Sequence, residues 1–181
     1  VVIADKMVQR ASLDEVSKIA CLVTSNVVTI GASLAHVHVP GRAPAHDDFS
    51  ANEDVELGMG IHNEEGCKRL QTDLPNLVKE MLAQLLETTD KDRAYVHIKS
   101  SEPTVLLINN LGGVSVLELG CITDEVCAQL KNSYSIQPVR ILTGTFMSSL
   151  NGLGFSISIL KLVDRGLQSQ YSMLELLDAP A

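Results

Sequence analysis

Apolar positions recur along this chain with two different periods. Over residues 11–28, Val16, Ile19, Ala20, Val23 and Val27 fall three and four residues apart, which is one face of a helix. Ser12 and Glu15 stand just ahead of that face with S-x-x-E spacing. A hydroxyl and a carboxylate so placed satisfy opposite orphan amides at a helix start. A second helix is predicted over residues 72–90, where Leu74, Leu77, Val78, Met81, Leu82, Leu85 and Leu86 share a face. Pro75 is tolerated there because it falls in the first turn.

Between these segments the period changes. Residues 28–42 are rich in β-branched side chains and close at Pro40-Gly41, a strand ended by a turn. A polar stretch, 42–54, reads as a surface loop. Residues 55–66, "VELGMGIHNEEG", alternate apolar and small residues, a strand whose glycines let backbone or a ligand come near. Residues 104–113, "TVLLINNLGG", are an almost wholly apolar run, as expected of a central strand buried on both faces. Residues 115–134 read as a helix with a break near Gly120. Residues 138–162 give two strands around a Gly/Asn/Ser loop, and 164–180 close with a helix. Helices alternating with strands define an α/β domain without internal repeats.

Composition narrows the function classes. The chain has 181 residues, 45% hydrophobic and 20% charged, enough for one domain with a real core. Aromatics amount to only 3%, with no tryptophan, so the core is aliphatic and stacking on bases is a poor fit. The net charge of −8 argues against nucleic acid or an anionic membrane as partner. No apolar run approaches the roughly 20 residues of a membrane span, and no basic-then-apolar leader is visible. Cys21, Cys67, Cys121 and Cys127 are scattered without a C-x-x-C pair, which points to reduced thiols in a cytoplasmic protein. The chain starts "VVIADKMVQR" without an initiator Met, as expected of a piece of something longer.

Three groups of residues could carry chemistry. His62 lies in a run with Gly58, Gly60 and Gly66, so that a small molecule could reach its ring as base, metal ligand or nucleophile; the alternative is a packing histidine. Glu64 and Glu65 either orient that ring or are solvated turn residues. His36 and His38 form an H-x-H pair, with His46, Asp47 and Asp48 beyond, which would need a third ligand to hold zinc or iron. "INNLGG" and "SSLNGLGF" are alike, an apolar strand running into Asn, Ser and Gly. Such loops line crevices at strand ends or are simply turns. Neither a phosphate-binding G-x-x-x-x-G-K-[ST] nor a strand–helix G-x-G-x-x-G is present, and nothing resembles G-x-S-x-G.

Taken in order, "VHVPGR", "ELGMGIHNEEG", "DKDRAYV", "VLLINNLGGVSVLELG" and "GTFMSSLNGLGFSISIL" resemble the ATP-dependent dihydroxyacetone (glycerone) kinases of the single-chain fungal type. The likeness runs through essentially the whole chain. It implies a two-layer α/β unit with a mixed sheet, the second half of the dihydroxyacetone-binding K domain, spanning residues 1–181. The first half and the helical ATP-binding domain would lie elsewhere. It implies that His62 holds the ketone covalently as a hemiaminal, with Gly60 and Glu64 beside the substrate. ATP and Mg2+ would belong to the intact enzyme, with no cofactor on this chain. The resemblance further implies dihydroxyacetone or glyceraldehyde as ligand and a homodimer. Glu65 stands where the family usually has proline. The alternative is a non-catalytic module that binds or senses ketones, and a metal-binding or scaffold domain is the third reading.

Overall fold

The computed structural model describes residues 11–35, 37, 41, 54–59, 65–87, 95–164 and 171–179. Chain order is α1 (Leu13–Thr24), β1 (Val27–Ala35), β2 (Asp54–Leu57), β3 (Lys68–Gln71), α2 (Leu74–Leu86), β4 (Thr104–Asn110), α3 (Val116–Tyr134), β5 (Arg140–Gly144), β6 (Leu153–Lys161) and α4 (Met173–Asp178). The six strands form one sheet in the order β3-β2-β1-β6-β4-β5. β4 and β5 are parallel, and every other pair is antiparallel. The α/β class and the mixed sheet therefore stand as expected.

Alternation along the strands sends one set of side chains to each face. Val28, Ile30 and Ala32 of β1, Leu106 and Ile108 of β4, and Phe155, Ile157 and Ile159 of β6 form the main core. α2 covers that face with Leu77, Val78, Met81, Leu82 and Leu85, and α3 with Leu119, Ile122, Val126 and Leu130. Each such side chain, fully buried, contributes about 1.5–3 kcal/mol. The amide of Gln129 in α3 donates to the Pro75 carbonyl at 2.7 Å, tying the two helices. A small second cluster joins Ile19 of α1 to Met173 and Leu176 of α4, packed against Leu160 and Leu162. Leu160 alternates with Ile159, so this cluster lies against the opposite face, at one end of the sheet.

Ser12 and Glu15 do form the capping box, and the same device recurs at Ser115/Glu118 and Ser172/Glu175. Pro75 sits in the first turn of α2, capped by Asp73. Several boundaries differ from the sequence expectation. α1 stops at Thr24, where Ser25 and Asn26 donate back to the last turn and free Val27 and Val28 for β1. α3 runs unbroken past Gly120, whose outward position meets nothing within 4 Å, so no packing depends on a side chain there. Among the described residues of the 55–66 stretch, 55–57 are strand, as the last part of β2. β3 was not foreseen: "KRLQ" has no apolar alternation, because it is an outer strand with only Leu70 partly covered.

Candidate functional site

The face of the sheet opposite the main core carries small and hydroxylic residues. Thr29, Gly31 and Ser33 of β1 stand beside Ser156 and Ser158 of β6. The Thr29 and Ser158 hydroxyls are 2.6 Å apart, and the Ser33 hydroxyl donates to the Ala35 carbonyl at 2.8 Å. A cleft of about 530 Å³ opens here. Thr29, Gly31 and Ser156 form its floor; Met147, Ser148, Ser149 and Gly152 form one rim; Gly58, Met59 and Cys67 form another, with Gln84 and Tyr95 alongside. A volume of this kind, walled by apolar groups with a few convergent hydroxyls, suits a small polar ligand.

Both Asn/Ser/Gly loops foreseen in the sequence meet at this cleft. Adjacent asparagines at the end of β4 point to opposite faces and hold one loop each. Asn110 accepts from the amides of Gly112 at 2.8 Å and Val114 at 3.2 Å, and donates to the Val114 carbonyl at 2.7 Å. Asn109 accepts from the amides of Phe146 at 2.9 Å and Met147 at 3.0 Å, and donates to the Met147 carbonyl at 2.8 Å. Backbone bonds then join the loops: Ser149 donates to Leu111, and Gly113 to Gly152, each at 2.8 Å. The approach is so close that a Cβ on Gly112, at φ +128°, would lie 2.5 Å from the Ser149 carbonyl oxygen. Only glycine fits there.

The rim at Gly58, Met59 and Cys67 belongs to the stretch of sequence that contains His62. Gly58, at φ +78°, donates to the Gly31 carbonyl at 2.7 Å, and Cys67 donates to the Leu57 carbonyl at 2.8 Å. Gly58, Met59 and Cys67 line the cleft on either side of the histidine in sequence. His62, Gly60 and Glu64 themselves lie outside the described residues, as do His36, His38, His46, Asp47 and Asp48. Glu65 is described and exposed. Among the described residues no three His, Cys, Asp or Glu side chains gather as metal ligands. The four cysteines are free thiols, and no described helix is long and apolar enough to cross a membrane.

Away from the cleft, Glu102 is held below the usual carboxylate range by its bond to the Lys161 ammonium and by the Lys99 amide. Burial raises the Cys127 thiol above its ordinary value, with the Asp124 charge adding to it.

Thr29, Ser156, Gln84 and Tyr95 were not singled out by the sequence reading. The signal for the first two was present as small hydroxylic residues alternating with Val28, Ile30, Phe155 and Ile157. Gln84 and Tyr95 carry no local signal, since only the fold brings them to the rim.

These features define an α/β unit with a cleft on the polar face of a mixed sheet. The family model of the Dak1 domain matches residues 2–181, and the chain belongs to that family. Among curated relatives, a dihydroxyacetone kinase of Komagataella pastoris is 49% identical over 157 residues, 80% of this chain and 26% of the relative. The solved dihydroxyacetone kinase from C. freundii in complex with AMP-PNP and Mg2+ superposes with a TM-score of 0.73 at 29% identity, over 91% of this chain and 29% of that one. A dihydroxyacetone kinase operon co-activator superposes with a TM-score of 0.81 over 98% of this chain and 51% of that one; at 22% identity this is a likeness of fold alone. The chain spans between 26% and 31% of the length of the first three curated relatives.

Proposed function

We propose that this chain is the ketone-binding part of a dihydroxyacetone kinase, with His62 as the residue that holds the substrate. The observation that carries the reading is the placement of Gly58, Met59 and Cys67, which flank the histidine in sequence, on the rim of a hydroxyl-lined cleft. A neutral imidazole has an ordinary pKa of about 6.5 and is nucleophilic near neutral pH. Its unprotonated nitrogen adds to the carbonyl carbon, and the carbonyl π electrons move to oxygen. That oxygen takes a proton as the other ring nitrogen gives one up, which leaves a neutral hemiaminal. Glycerol lacks the carbonyl and cannot form this bond, so selectivity for short ketones and aldehydes rests on bond formation. Gly60 would allow close backbone approach, and Glu64 would meet a substrate hydroxyl.

The described lining side chains carry hydroxyls, an amide and a thiol, with neither carboxylate nor ammonium. They suit a small uncharged hydroxyketone and do not fit a magnesium triphosphate. We therefore assign ATP and Mg2+ to parts of the intact protein outside this chain, and route no step through them here. On this reading residues 1–181 are the second half of a K domain, the intact protein is a cytoplasmic homodimer, and the 181 residues alone do not phosphorylate the ketone. Glu65, standing where the family usually has proline, makes a non-catalytic ketone-binding module the second reading. An ATP-dependent phosphorylation assay on the intact protein separates the two: formation of the ketone phosphate supports the kinase, its absence the module.

The direct test is calorimetric titration with dihydroxyacetone and with glycerol. The wild type is expected to prefer the ketone, and His62→Ala to lose that preference. Equal ketone affinity in both proteins sinks the role of His62.

A further inference from the structure

The stretch that contains His62 begins with Glu56, a residue the proposed chemistry does not use. Its carboxylate is only 1% exposed. Val55 and Leu57 on either side point into the main core, so Glu56 faces the cleft side of the sheet, opposite Ser33 in register. Burying a carboxylate is costly, and its retention calls for strong partners. Two are in place. Glu56 Oε1 accepts from the backbone amide of Gly66 at 2.6 Å, and the Arg69 guanidinium lies 3.7 Å from Oε2.

Gly66 is the last glycine of the same stretch, ten residues on. A Cβ there would stand 2.5 Å from the Leu57 carbonyl oxygen and 2.7 Å from Glu56 Cγ, so the backbone at this point lies directly against the strand. Together with the Gly58 to Gly31 and Cys67 to Leu57 bonds, the contact brings both ends of the segment 58–66 to one place. We infer that Glu56 is a positioning residue: its buried carboxylate holds Gly66, the far end of the histidine segment, against β2, while the near end is tied at Gly58 to β1. A charged acceptor gives a shorter and stronger bond than a neutral one. Fixing both ends removes the closure entropy that a ligand would otherwise have to supply.

This inference rests on His62 as the ketone-holding residue, and the test separates the two. In the full 181-residue chain, Glu56→Ala, Glu56→Gln and Gly66→Ala are compared with wild type by calorimetry with dihydroxyacetone, by thermal melting, and by hydrogen exchange at the Gly66 amide. Glu56→Ala is expected to weaken ketone binding by roughly tenfold to a hundredfold, the cost of a modest misplacement of a reacting group. Glu56→Gln keeps an oxygen acceptor and is expected to recover most of that loss. Gly66→Ala should lose affinity with Glu56 intact and the core untouched. It decides the matter if Glu56→Ala fails to melt cooperatively. Wild-type affinity in a folded Glu56→Ala, or in Gly66→Ala, overturns the clamp. If the wild type itself shows no preference for the ketone, the reading of His62 fails, and the Gly66 amide still judges the clamp. Loss of its protection in folded Glu56→Ala upholds the bond as the anchor, and unchanged protection overturns it.

Discussion

The two faces of the central sheet are built from the same strands and differ in almost everything else. On β6, Phe155, Ile157 and Ile159 are buried against α2 and α3, while Ser156 and Ser158 between them face the cleft side. On β1, Val28, Ile30 and Ala32 alternate in the same way with Thr29, Gly31 and Ser33. One face is held by apolar area and close packing. The other, where the cleft lies, is held by hydrogen bonds from Asn109, Ser149 and the backbone of two loops, with a small apolar cluster only at its far end. The period of two lets a single strand contribute to stability on one side and to a binding surface on the other. Substitutions one residue apart should therefore read out different properties.

The largest effect is expected on the apolar face. Ile157→Ala leaves a cavity at a site with no exposure and should cost about 2–5 kcal/mol in denaturant unfolding. A loss below 1 kcal/mol would mean that the site collapses around the smaller residue. Asn109→Ala removes three bonds to the Phe146–Met147 backbone and strands its amides. It should cost roughly 1–3 kcal/mol and open those two amides to hydrogen exchange. Ser115→Ala breaks the capping box of α3 and should cost about 1 kcal/mol, with no change at the cleft. Ser156→Ala, next to Ile157, should change stability by less than about 0.5 kcal/mol and reduce affinity for dihydroxyacetone in titration calorimetry. An Ile157-like loss of stability there would break the division between the faces.

The smallest effect concerns pH. Glu102 is held below its ordinary value by the Lys161 ammonium and then by the Lys99 amide. A lowered folded pKa contributes stability that is fully present above about pH 4.5 and is lost as pH falls through the folded value. Glu102→Gln should flatten that acid limb of the stability curve while leaving the cleft side unchanged.

Several parts of this architecture were legible before any coordinates. The capping box at Ser12 and Glu15, the α2 face from Leu74 to Leu86 and the buried run of β4 are local patterns, and each appears where its period places it. The likeness of "INNLGG" to "SSLNGLGF" was visible, but not that Asn109 reaches across to hold the second loop. β3 escaped because an outer strand needs no apolar alternation. Gly120 suggested a break that α3 does not make, since a glycine on the outward side of a helix costs only about 1 kcal/mol.

By itself, then, the sequence determined the α/β class, the main helix faces, the caps and the family. All of these are written in spacings of a few residues or in motifs read in order. Only the tertiary structure decided the strand order, the meeting of the two asparagine-held loops, and the closure of Glu56 onto Gly66. Each of these depends on hydrogen bonds between residues far apart along the chain or across a loop, whose partners no local period specifies.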